Sequence, residues 1–171
     1  SYGVSNHYIV GEDKPRSLLL YVSDDGVNFK IRTILDITGN RFEVTARFLP
    51  DGAMMLLARR EESDQGGYIG KSQAPYTDWN WNNTGMRVGG PDFIRLPDGS
   101  MWAGYRNYVK KATTEFAYMT EKNLKPVLTL PSGGDTSYPG FVWYDDVLWM
   151  TYYSSHEEKT SIYLAKIGFK D

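Results

Sequence analysis

Asp51, Asp98 and Asp145 are evenly spaced, 47 residues apart, and each lies in a short turn between two apolar runs. The first copy reads Phe48-Leu49-Pro50-Asp51-Gly52-Ala53-Met54, and its apolar run ends at Arg59. The second reads Arg95-Leu96-Pro97-Asp98-Gly99-Ser100-Met101 and ends at Arg106. A degenerate third copy runs Val142-Trp143-Tyr144-Asp145-Asp146-Val147-Leu148. An equal period of about 40–50 residues is the signature of stacked supersecondary units, propeller blades among them. Such units bury their apolar faces only against one another, which excludes most other all-β plans.

Within each unit the pattern is that of strands. Phe42–Leu49 precedes the Asp-Gly turn and Ala53–Arg59 follows it; Asp-Gly between apolar runs predicts a hairpin with a primed turn, which needs positive φ. Gly67–Ser72 and Asp78–Asn82 are expected as third and fourth strands. The next unit supplies Asp92–Leu96, Met101–Arg106, Glu115–Thr120 and Pro126–Leu130, and the last Gly140–Tyr144, Leu148–Tyr153 and Ser161–Ile167. Upstream, His7–Val10, Ser17–Val22 and Phe29–Leu35 fit strands two, three and four of a preceding unit. Four-stranded antiparallel units in series describe an all-β chain, a β-propeller. The expected division is 1–39 a partial blade, 40–85 and 86–132 complete blades, and 133–171 a blade lacking its outer strand. The phase of the repeat leaves the first unit without its inner strand. It points to a natural C-terminal end, a truncated N-terminal one, and about half of a closed ring. Open strand edges template association, so the chain is expected to pair with a missing half or with itself.

Composition agrees and narrows the function. Of 171 residues, 15% are aromatic, including 13 Tyr, and there are 17 Gly and 8 Pro, a turn-rich β composition. A net charge of -2 gives no electrostatic footprint for nucleic acid. No apolar run approaches the ~20 residues of a membrane helix. There is no cysteine, hence no disulfide framework or zinc–thiolate site, and His7 and His156 have no metal-ligand spacing. No cofactor is expected.

The hairpins also place side chains. Glu43 lies eight residues before Asp51 and Arg59 seven after Gly52, so they are neighbours at the end away from the turn. Arg106 occupies the corresponding place in its unit, and Tyr138 starts the first strand of the last unit. The four are expected on one rim, at the mouth of a central channel: an anion site with a nucleophile beside a base. Arg60 follows Arg59, and alternation along the strand puts one of the two toward solvent.

On these residues the chain resembles the sialidase (neuraminidase), BNR-repeat family. Glu43…Asp51-Gly52…Arg59 is similar to that family's Glu…Asp-Gly…Arg pattern, and Gly89-Gly90-Pro91…Asp98-Gly99…Arg106 is similar to its stretch bearing another arginine. Gly134-Asp135-Thr136-Ser137-Tyr138-Pro139-Gly140 resembles the stretch holding the nucleophilic tyrosine. Ser23-Asp24-Asp25-Gly26-Val27-Asn28-Phe29 resembles the Asp-box, with Val22 standing where the motif opens with Ser or Thr. The resemblance implies a six-bladed propeller and a retaining exo-α-sialidase-like hydrolase acting on an acidic glycan. Tyr138 would be its nucleophile, Glu43 the base, and Arg59 and Arg106 the carboxylate holders, with Asp92 and Asp135 as substrate-side neighbours. The family's general-acid Asp and first arginine fall in the N-terminal half, so this chain alone is expected to be inactive. Family members are often secreted or periplasmic.

Plainer roles stand beside these. Glu43 and Arg59 suffice to make a strand-end ion pair. Most tyrosines pack cores or edges. Asp24 and Asp25 suit a turn. Two rival functions remain: a non-catalytic carbohydrate-binding or interaction propeller, and a propeller glycosidase working with paired carboxylates among Glu43, Asp92 and Asp135.

Overall fold

A computed structural model describes residues 1–7, 17–37, 39–61, 64 and 66–169. All of its regular elements are strands, arranged in four antiparallel sheets that follow one another along the chain. The first sheet holds β1 (Tyr2–His7), β2 (Ser17–Val22) and β3 (Lys30–Leu35) in that order. The second holds β4 (Asn40–Phe48), β5 (Met54–Glu61), β6 (Tyr68–Ser72) and β7 (Asn80–Asn83). The third holds β8 (Gly89–Arg95), β9 (Met101–Asn107), β10 (Thr113–Met119) and β11 (Leu124–Thr129). The fourth holds β12 (Thr136–Tyr144), β13 (Val147–Ser154) and β14 (Ser161–Ile167). No helix is long and apolar enough to cross a membrane among the described residues.

The core lies between consecutive sheets, which is why the strands read as unbroken apolar runs rather than alternating ones. In β5, Met54, Leu56 and Ala58 pack toward Leu18, Leu20 and Leu35 of the first sheet. The intervening Met55 and Leu57 pack toward Phe93, Ala103 and Tyr105 of the third. Leu96 and Phe116 meet Leu148, Met150 and Tyr152 across the last interface. Each such side chain contributes about 1.5–3 kcal/mol when fully buried, so the β5 run alone locks three sheets together. Gly70 has a packing reason: a Cβ there would lie 2.2 Å from the ring of Trp81. Trp79 and Trp81 stack at 5.3 Å and close the outer side of the second sheet.

The differences from the sequence reading are local. A strand runs over Tyr2–His7, and residues 8–10 of the strand expected at His7–Val10 lie outside the described ones. Its Gly3, Ser5 and Asn6 gave no apolar signal, yet all six residues pair with Ser17–Val22. The strands expected at Asp92 and Gly140 start earlier, at Gly89 and Thr136, because the Gly-Pro stretches that look like loops are part of bulged pairing. Nor are the Asp-Gly turns primed. Gly52 N donates to Leu49 O and Leu49 N to Ala53 O, with positive φ at Gly52 alone (82°) in that turn, and Leu96–Ser100 repeats this with Gly99 at 90°. Pro50 and Pro97 explain it: proline fixes a negative φ at the first central position, which a type I′ turn forbids. The primed geometry occurs instead at the copy without proline, where Asp145 and Asp146 have φ of 52° and 54°.

Candidate functional site

Each of the last three sheets carries a β-bulge at the same place, in the first strand near its start. Phe42-Glu43 interrupts the β4–β5 register between Arg41 and Val44. Gly90-Pro91 does so in β8–β9 between Gly89 and Asp92, and Tyr138-Pro139 in β12–β13 between Ser137 and Gly140. A bulge sets two residues against one and re-aims a side chain. The bulges of β4 and β12 thereby bring together two groups 95 residues apart: Tyr138 Oη donates to Glu43 Oε1 at 2.8 Å. Tyr138 is held from behind. Buried Ser137 donates through Oγ to Gly89 O at 2.7 Å, and buried Thr136 shares a 2.6 Å hydroxyl contact with Thr114 of β10.

Around this pair the charges alternate. Arg59 Nη1 donates to both Glu43 oxygens, at 2.9 and 3.0 Å, and Arg59 Nε donates to Glu61 at 2.9 Å. Glu61 also accepts from Arg87 Nη2 at 2.7 Å, and the Arg87 guanidinium lies 4.0 Å from the Tyr108 ring centre. On the other side Arg106 pairs with Asp135 at 3.1 Å, and Tyr153 Oη donates to Asp135 at 2.7 Å. The Tyr153 ring stacks on Tyr138 with centroids 6.0 Å apart. Glu43, Arg59, Arg106, Asp135 and Tyr138 thus form one contiguous cluster.

The electrostatics follow. The hydrogen bond to Glu43, then partial burial and the Glu43 charge, raise the Tyr138 phenol above its ordinary value, while Arg59 and Arg106 pull the other way. The resting phenol is protonated and its proton points at the carboxylate. Burial and the bond to Asp135 push Tyr153 up to about 12. Burial works to raise Glu61, but its bonds from Arg87 and Arg59 outweigh that and hold it below the usual carboxylate range.

Asp92 lies apart from this cluster. It accepts a 2.7 Å ion pair from Arg47, and burial raises its pKa. Glu61, Arg87, Tyr108 and Tyr153 complete the cluster; Tyr153 lies one 47-residue period after Arg106, a place the repeat marks, whereas only proximity in sequence to Arg59, Gly89 and Arg106 marks the other three. Alternation does not sort Arg59 from Arg60 as expected. Arg60 is buried, stacks on Tyr68 at 4.8 Å and bonds Gly66 O, because a strand between two stacked sheets has no solvent face. At the Asp-box-like turn, Asp25 Oδ1 accepts from Val27 N, Asn28 N and Ser23 Oγ at 2.7–2.9 Å, so it is a turn-maker. Those bonds hold its carboxyl far below the usual range. No group of His, Asp and Glu suited to a metal occurs among the described residues.

No family model and no curated protein matches the chain. Solved structures do match in fold. A protein of unknown function from Dyadobacter fermentans superposes with a TM-score of 0.86 at 17% identity, over 99% of this chain and 50% of that one. An endo-1,4-β-xylanase from Bacteroides thetaiotaomicron gives 0.64 at 14% identity, over 96% of this chain and 64% of that one. A thermostable family-43 glycoside hydrolase gives 0.61 at 11% identity, over 99% and 70%. The chain spans about half the length of the first of these and just under two thirds of the second. These two glycosidase neighbours are a xylanase and a family-43 glycoside hydrolase rather than sialidases, so of the sialidase resemblance only its broad, propeller-glycosidase part is supported. At such identities the likeness is one of fold, an all-β arrangement of antiparallel sheets like that of propeller glycosidases.

Proposed function

We propose that the chain is part of a β-propeller glycoside hydrolase with retaining, sialidase-like chemistry centred on Tyr138 and Glu43. The observation that carries this reading is the 2.8 Å Tyr138–Glu43 hydrogen bond, with Arg59 across both Glu43 oxygens. A sugar bearing a carboxylate at its anomeric carbon repels a carboxylate nucleophile but not a neutral phenol. Tyr138 Oη attacks that carbon while its proton passes to Glu43, and the bond to the leaving oxygen breaks. The leaving oxygen takes its proton from a general acid outside the residues that the resemblance assigns here. Water then attacks the anomeric carbon and gives its proton to the conjugate base of that general acid, while the carbon–tyrosine bond breaks and Glu43 returns the first proton to the phenol oxygen. A tyrosine nucleophile of this kind departs from the two-carboxylate scheme that most glycosidases follow. Arg106, and Arg59 once it shifts from Glu43, supply donors for the substrate carboxylate.

The sheets would be consecutive blades, 1–39, 40–85, 86–132 and 133–171. That β1 packs on β4, as β5 does on β8 and β9 on β12, supports β1 as the second strand of its blade. The exposed apolar residues Val142, Tyr144, Ile162 and Leu164 of the last sheet suit association with a further sheet.

A second reading, a non-catalytic carbohydrate-binding surface, has its own support. Arg59, Arg87 and Arg106 are each already matched by a carboxylate. Incubation of the whole propeller of which the chain is part with a fluorinated sialosyl fluoride, followed by peptide mass spectrometry, separates the two. The catalytic reading expects a covalent adduct on Tyr138, lost in Tyr138→Phe. In an active protein, Glu43→Gln is expected to slow sialoside hydrolysis by about 10²-fold or more. Hydrolysis by Tyr138→Phe at the unsubstituted rate sinks the nucleophile assignment.

A further inference from the structure

A cleft of about 500 Å³ opens beside the cluster, between the second and third sheets, and is lined by Asp64, Met86, Arg87, Asn107, Tyr108 and Pro126 among others. We propose that it binds a neutral sugar unit, the one next to the anionic residue held at Tyr138. The proposal rests on the reading above for its place in the glycan, but its own support is separate.

That support is a mismatch between donors and charge. Arg87 spends Nε and Nη2 on Glu61, and its Nη1 makes no hydrogen bond among the described residues. Asn107 Oδ1 accepts from Tyr108 N and Val109 N, which fixes the orientation of the amide and leaves its NH2 without an acceptor among the described residues. Tyr108 Oη makes no hydrogen bond among the described residues either, although its ring lies under Arg87 and within 5.4 Å of the Arg106 guanidinium. Three unspent donor groups therefore line one cleft. The formal charges there are cancelled: Arg87 by Glu61, and Asp64 by Arg60. A site rich in donors but neutral overall suits a ligand rich in acceptors and without charge. Met86, Pro126 and the tyrosine ring add the apolar wall that a pyranose needs for its C–H face. The volume lies within the usual 300–1,000 Å³ of ligand sites. The cleft is also continuous with the cluster through Tyr138–Glu43–Arg59–Glu61–Arg87, each link a hydrogen bond.

The test is a titration of the ¹⁵N-labelled chain with lactose, followed by amide NMR. The expected result is a saturable shift of the Tyr108 and Val109 amides and of the Asn107 side-chain NH2. Arg87→Ala is expected to weaken binding about tenfold, the worth of one charged hydrogen bond. Asn107→Asp keeps the Oδ1 acceptor that shapes the loop but removes the donors, and is expected to weaken binding by a similar factor. Absence of saturable shifts, equal binding by both variants, or displacement of lactose by acetate overturns the proposal. Lactose binding by the chain with no adduct at Tyr138 in the whole propeller supports the cleft and sinks the catalytic reading, and an adduct without lactose binding does the reverse.

Discussion

Gly90 and Tyr138 occupy the same position in two successive sheets, the first residue of the bulge, and both have a φ of 48°. For glycine this left-handed conformation is free; for tyrosine it costs about 1–2 kcal/mol. The two positions also touch. A Cβ on Gly90 would lie 2.6 Å from Ser137 Oγ and 3.0 Å from the Tyr138 ring. One bulge is thus empty so that the other can carry a side chain across it. Backbone strain in a residue other than glycine persists where the surroundings over-determine it, and such residues cluster at functional sites. Here the surroundings are the buried Ser137 and Thr136 anchors on one side and the Glu43 hydrogen bond on the other.

The comparison breaks most directly at Gly90. Gly90→Ala meets both the unfavourable φ and the Ser137–Tyr138 contact. A loss of about 2–4 kcal/mol is expected in urea unfolding, summing backbone strain with overpacking. The Tyr138 ring has to move with it, so its ionisation is expected to fall toward that of an ordinary phenol. Glu43→Gln is a gentler probe of the same link. It removes the largest cause of the raised Tyr138 pKa and leaves the opposing pull of Arg59 and Arg106. Tyr138 is then expected to ionise at lower pH, read by ultraviolet difference titration against Tyr138→Phe. The sign carries over to stability. A phenol whose folded pKa is raised contributes stability that is complete below the unfolded value and is lost as pH rises through the folded one. The parent is therefore expected to lose more stability than Glu43→Gln in alkaline solution above about pH 10.

Much of this was legible in the chain because a repeat does two things at once. The 47-residue period set the sheets in series, and it also aligned Glu43, Arg59, Arg106 and Tyr138 by their distance from a turn. What it could not reveal has physical reasons. Two of the three bulges lie in Gly-Pro and Tyr-Pro stretches that look like loops, since nothing in a single sequence says that a glycine is paired. Arg60 looked like a surface residue because alternation assumes one wet face, which stacked sheets do not have. Glu61 ends β5 and Arg87 lies in the connection before β8, 26 residues on, so they meet only in three dimensions. Asp92 was drawn into the site by its place on the rim strand, whereas Arg47 of the adjacent β4 takes its carboxylate.

The equivalence of the two bulges sharpens further through Tyr138 itself. If strain at φ 48° is real, Tyr138→Gly is expected to be more stable than Tyr138→Ala by about 1 kcal/mol, although glycine is normally the weaker strand residue. Both variants lose the ring and the Glu43 bond, so their difference isolates the backbone. The opposite order in matched urea melts would mean that the bulge relaxes when the ring is removed, and that the ring, not the fold, imposes the angle.

The smallest effect is expected at the far end of the same hairpin. Asp145 and Asp146 both adopt positive φ in a two-residue turn, where the other two long hairpins place a single glycine. Asp146→Gly removes one of these penalties without touching a packed side chain. It is expected to raise stability by about 0.4–1 kcal/mol, less than the strain itself because glycine also loosens the unfolded chain. The Tyr138–Glu43 pair is expected to be unaffected, since five paired residues separate turn from bulge. A change in Tyr138 ionisation in this variant would show that turn and bulge are one strained unit, and the strain at Tyr138 would then belong to the hairpin rather than to its contact with Gly90.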